Sequence, residues 1–144
     1  MNQKMWKTAL AIVLCLALAS CSNGAQDQAP AAYEPAATAQ ALLDSEAFSG
    51  ELSEIGKDAI PAYYGLDEST VQDCVAYGSM AAGSEGFVVA VFTDEAAAKT
   101  GVEVLQAWVD LQKSAQSNYM PEEVAKLEKA IIDQRGASAV LVVP

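Results

Sequence analysis

GFVVAVF, residues 86–92, contains no charged or hydrogen-bonding side chain. Val88, Val89 and Val91 are β-branched, and Phe87 and Phe92 are aromatic, the residue types that fit a pleated backbone. Apolar residues fill both alternating sets of positions, so the segment reads as a central strand covered on each face. Just upstream, VQDCVAYGSM (71–80) mixes β-branched and aromatic residues with polar alternates, which also suits a strand. The short connection through Ala82-Gly83-Ser84 predicts that the two strands pair antiparallel as a hairpin.

Helices are expected on either side of this hairpin. Downstream, Thr93 or Asp94 caps a long helix running to about Ser117, with Glu95 complementing its N-terminal dipole. Ala98, Val102, Leu105 and Val109 form its apolar stripe with Trp108 beside it, and Gly101 is a weak point within it. Pro121, Glu122 and Glu123 open a further helix, whose apolar face is Val124, Leu127, Ile131 and Ile132 and whose stop is Gly136. Ala137–Val143 closes the chain as a buried strand, and the sequence leaves open which hairpin strand it joins. Upstream, Thr38–Phe48 carries a helical stripe with Thr38 as N-cap. Gly50, Gly56, Pro61 and Gly65 break residues 49–69, apart from a helical turn over Asp58–Leu66 whose aromatic residues pin it to the core. The expected class is α+β: a small antiparallel sheet of about three strands packed with two to three helices.

The chain opens MNQKMWKTALAIVLCLALASC. Lys4 and Lys7 precede an 11-residue apolar run, Ala9–Ala19, as in a secretory signal. Even Thr8–Ser20 as a helix spans only roughly 20 Å, against about 30 Å for a hydrocarbon core. The tetrapeptide Leu18-Ala19-Ser20-Cys21 resembles the lipobox of bacterial lipoproteins. That resemblance implies cleavage before Cys21 and acylation of its thiol by diacylglycerol, with palmitate-type chains. One acyl chain binds a bilayer only marginally, whereas two or more hold it durably. The expected organisation is a signal peptide over 1–20, a lipidated tether over 21–37 and one α+β domain over 38–144. The expected location is extracytoplasmic, with the lipid bilayer as a partner through Cys21.

Loss of Lys4 and Lys7 with the signal moves the formal charge from −11 to −13. Nucleic acid and anionic head groups are read by clustered Lys and Arg, so neither is an expected partner by charge. The chain has no histidine, which removes Ser-His, Cys-His and His-ligated zinc chemistry. Once Cys15 is cleaved away and Cys21 acylated, Cys74 stands alone. With no adjacent Lys or Arg to lower its pKa, it reads as a small core residue. Glu51, Glu54 and Asp58 could gather calcium if helical, but a solvated acidic face explains them better. No cofactor or metal is implied. Tyr63, Tyr64, Trp108 and Tyr119 are the candidate binding surface, since aromatic residues with polar tips favour such surfaces, although they also fill small cores.

From Gln72 onward the sequence resembles a family of Firmicutes lipoproteins known as domain-of-unknown-function family 4358. The features that carry it are Tyr77 and Glu85 in the hairpin, Gln112 in the long helix, Tyr119-Met120-Pro121-Glu122-Glu123, and Gly136 before the last strand. The resemblance implies an anchored extracytoplasmic domain and assigns no activity. The expected function is a non-enzymatic module binding a small ligand or an envelope protein. The alternative is an envelope enzyme using a carboxylate pair among Glu51, Glu54, Asp73 and Glu85, which would need about 5–9 Å between them.

Overall fold

The computed structural model describes residues 30–144; the expected signal peptide, Cys21 and the first part of the expected tether lie outside the described residues. In chain order the elements are α1 (Pro35–Asp44), β1 (Leu52–Glu54), a 3-10 turn (Lys57–Ala59), α2 (Ile60–Tyr64), β2 (Val71–Ser79), β3 (Gly86–Phe92), α3 (Glu95–Gln116), α4 (Pro121–Leu127), β4 (Ile131–Arg135) and β5 (Ser138–Val143). The strands form one antiparallel sheet in the order β1-β2-β3-β5-β4. β3 is its centre, as its two apolar faces require. One face buries Val88, Ala90 and Phe92 with Leu105, Val109 and Leu127 of α3 and α4. The other buries Phe87 and Val89 with Val140 and Val142 of β5 and Ala39 of α1. β5 takes the place beside β3, pairing Gly86 with Val143 and Val91 with Ser138.

The class is α+β, but the sheet has five strands and not three. Two errors of reading account for this. The segment 121–135 is not one helix: α4 ends at Leu127, and Ile131 and Ile132 belong to β4. Positions 124, 127, 131 and 132 match a helical stripe, but the Ile pair is β-branched and lies next to a tight reversal. Gly136, at φ +56°, makes that reversal together with Ala137, so β4 folds back on β5 and pairs with its free edge. The glycine read as a helix stop is a hairpin turn. β1, with three residues, is too short to show any period. It exists because β2 offers it an edge, with Glu54 opposite Tyr77.

α1 starts at Pro35 and not at Thr38, and it ends at Asp44 before reaching Phe48. Glu34 is its N-cap, accepting from Ala37 N at 2.8 Å, and Pro35 fills the first turn, where a missing N–H costs nothing. The domain therefore holds the chain before residue 38. Tyr33 N donates to Ser138 Oγ at 2.7 Å, its hydroxyl donates to Asp133, and the Arg135 guanidinium lies 4.4 Å over its ring. α3 begins as expected, with Asp94 accepting from Ala97 N at 2.7 Å. No helix among the described residues is long and apolar enough to cross a membrane.

Candidate functional site

In the β2–β3 pair, Gly78 stands opposite Gly86, on the side of the sheet that faces α3. Two neighbouring positions without side chains leave the sheet floor as bare backbone at this end. Leu141 and Val143 of β5 extend that floor. Gly86 has φ +157°, and a Cβ there would lie 2.4 Å from the Tyr77 carbonyl oxygen, so the local backbone requires glycine.

The walls come from the helices. α2 supplies Tyr63 and Tyr64, and α3 supplies Trp108, Gln112 and Gln116 at successive i+4 positions. With Ser53 and Glu54 from β1, Ile55 just after it, and Ser84 and Glu85, they enclose a cleft of about 280 Å³. Tyr64 packs against Trp108 with centroids 4.9 Å apart, and Tyr63 lies 5.9 Å from Trp108. Trp108 Nε1 donates to the Tyr63 carbonyl at 3.1 Å, which fixes the indole. The Tyr64 ring is only 4% exposed, and burial pushes its phenol above its ordinary range. That phenol has no hydrogen-bond partner among the described residues, yet it is not sealed from solvent, and the cleft is the space its ring borders.

A charged brace lies behind the cleft. Glu85 accepts from Ser49 Oγ, from Ser49 N at 3.3 Å and from Gly50 N at 3.2 Å. Glu123 accepts from Ser84 N, and Lys126 lies 2.9 Å from Glu123 and 3.4 Å from Glu85. Burial alone would raise both carboxyls. The hydrogen bonds from Ser49, Gly50 and Ser84, together with the Lys126 charge, outweigh it and hold both below the ordinary glutamate range. The brace ties the 49–50 loop and the hairpin tip to α4. Ser84 Oγ adds a donation to Gln116 Oε1 at 2.9 Å.

Of the four aromatic candidates, Tyr63, Tyr64 and Trp108 meet at the cleft. Tyr119, 83% exposed at the α3–α4 junction, does not border it. Tyr77 stacks on Phe87 across the sheet. Cys74 is buried in the core, where desolvation raises its thiol pKa. Among the carboxylates of the alternative, Glu54 and Glu85 border the cleft, but Glu85 spends its oxygens on the brace. Asp73 pairs with Lys57 away from the cleft, and Glu51 is exposed. Glu51, Glu54 and Asp58 share no helix, so the spacing that would gather calcium does not arise. The glycine pair, Gln112, Gln116, Lys126 and Glu123 were not singled out as site residues in the sequence, and Glu85 was a candidate there only as one of a carboxylate pair. The glycines carried a signal: Gly78 and Gly86 are symmetric about Ala82, as facing residues of a hairpin must be.

A family model described as "Domain of unknown function (DUF4358)" matches residues 44–144. The chain belongs to this family. The matched region reaches well upstream of Gln72 and contains β1, α2 and every residue of the cleft. Comparison with curated proteins and with solved structures finds no match.

Proposed function

We propose that this member of the family is a lipid-anchored, extracytoplasmic binding module of a Firmicutes envelope, that it is not an enzyme, and that its cleft is the binding site. The observation that carries the binding role is the cleft itself: an aromatic wall over a glycine floor, lined also by the polar side chains of Gln112 and Gln116. The anchoring role rests on the lipobox-like Leu18-Ala19-Ser20-Cys21. Two features make the roles compatible. The chain enters the domain at Tyr33, beside Ser138, whereas the cleft lies at the Val143 end of the same strand. Six residues of strand put these ends roughly 17 Å apart, so a tether leaving at Tyr33 does not run across the cleft. Against catalysis, both buried carboxyls near the cleft are spent on the brace, Glu85 on Ser49, Gly50 and Lys126 and Glu123 on Ser84 and Lys126.

Two experiments in intact cells test this. Metabolic labelling with an alkyne fatty acid is expected to mark the wild-type chain and not Cys21→Ala; equal labelling refutes the anchor. A photo-crosslinking residue at position 63 is expected to capture a bound molecule, while one at position 119 does not. The reverse pattern moves the functional surface to the Tyr119 corner.

A further inference from the structure

We infer that the cleft takes an uncharged, ring-shaped, polyhydroxylated ligand, a pyranose sugar, and this deepens the reading of the cleft as a ligand site. Charge narrows the class first. None of the described residues lining the cleft is Lys or Arg, and Glu54 and Glu85 both border it. Trp108, Gln112 and Gln116 belong to the C-terminal half of α3, the negative end of the helix dipole. Phosphates and carboxylates are therefore disfavoured.

A cation is disfavoured by geometry. A quaternary ammonium needs aromatic faces set around an empty centre. Here the rings pack on one another, at 4.9 Å for Tyr63–Tyr64 and 4.9 Å for Tyr64–Trp108, and so form a continuous wall. The carboxylate of Glu85 is already committed to Ser49, Gly50 and Lys126.

What remains fits a sugar. The electron-rich aromatic face attracts the weakly positive C–H groups on one side of a pyranose. Tyr63 is 56% exposed and can supply such a face at the mouth. The same cleft is lined by groups that both donate and accept, as hydroxyls require. The Gln112 amide and the Tyr64 phenol have no partner among the described residues, and Gln116 uses only its oxygen, for Ser84. The cleft volume is near the lower end for small-molecule sites, enough for one or two sugar rings.

The test uses the chain in detergent micelles; Trp108 is the only tryptophan left by the expected cleavage before Cys21, and Trp6→Phe removes the other from any uncleaved chain. Trp108 fluorescence is titrated with N-acetylglucosamine, methyl glucoside and cellobiose, and in parallel with glucuronate and tetramethylammonium. The neutral sugars are expected to give a saturable change that weakens about tenfold in Tyr63→Ala and in Gln112→Leu, the loss of roughly one good contact. Tyr119→Ala is expected to bind as the parent does. Saturation by glucuronate or tetramethylammonium, with no response to the sugars, overturns the sugar class while leaving a ligand site. Sugar binding that survives Tyr63→Ala and Gln112→Leu overturns both, because it places the site elsewhere. If no probe responds, the sugar class is overturned. The binding reading then falls as well only if the position-63 crosslinker also captures nothing in cells.

Discussion

Gly101→Ala should destabilise the protein, against the ordinary preference of helices. Gly101 lies inside α3, where alanine is favoured over glycine by about 1 kcal/mol. A Cβ there, however, would sit 2.3 Å from Phe92 Cζ and 2.7 Å from Cε1. Carbon atoms prefer about 3.5–4.0 Å, so helix and ring would have to part by more than 1 Å. Phe92 is in the core, although a depression of about 170 Å³ bordered by Phe92, Leu66 and Val104 gives the ring some room. Overpacking of this kind costs about 1–3 kcal/mol. Set against the helix gain, the expected net loss is up to about 2 kcal/mol, read as a fall in Cm on urea denaturation or in Tm by up to roughly 8 °C. A second background isolates the cause. In Phe92→Leu the clash is gone, so adding Gly101→Ala should be neutral or stabilising. A stabilised Gly101→Ala single variant, or an equal loss in both backgrounds, would refute the reasoning.

Three further outcomes follow from the same packing. Gly86→Ala should cost about 2–4 kcal/mol, through its clash with the Tyr77 carbonyl and its backbone angle, and denaturant titration checks this. Lys126→Met keeps the stem but leaves Glu85 and Glu123 without their cation; about 2–3 kcal/mol should be lost at pH 7 and less at pH 4, where the carboxyls begin to neutralise. Wild-type stability should hold between pH 6 and 7. It should then fall on acidification below about pH 4.3, because carboxyls with lowered folded-state pKa values stabilise above the unfolded value and lose that contribution as they protonate. Thermal melts across that range check the sign, and stability rising into acid would contradict it.

Much of the fold was legible because hydrophobic patterning reports burial. GFVVAVF showed a two-sided strand, and the 98–109 stripe showed the helix that covers it. Pro121 and Asp94 marked helix starts because each has a local backbone role there. The C-terminal hairpin was hidden because four apolar positions from a helix and a strand fall on one helical stripe, and the free edge of β5 takes the last two into the sheet. The site was half legible. Aromatic type alone picked out Tyr63, Tyr64 and Trp108, but their convergence depends on α2 packing against α3, a long-range contact with no local trace. The same criterion picked Tyr119, which stands apart. The Glu85–Lys126–Glu123 brace was invisible because Glu123 already had a sufficient local explanation at the start of α4.

The glycine-floored cleft is the proposed binding site of this family member. Amide and indole NMR of the full, isotope-labelled chain in micelles, with and without saturating N-acetylglucosamine, tests it most directly. The predicted result is perturbation of the Trp108 indole N–H, the Gln112 and Gln116 side-chain amides, and the Gly78 and Gly86 amides, with Tyr119 unmoved. Perturbation confined to the Tyr119–Pro121 corner would contradict it, and no perturbation at all would overturn the sugar class.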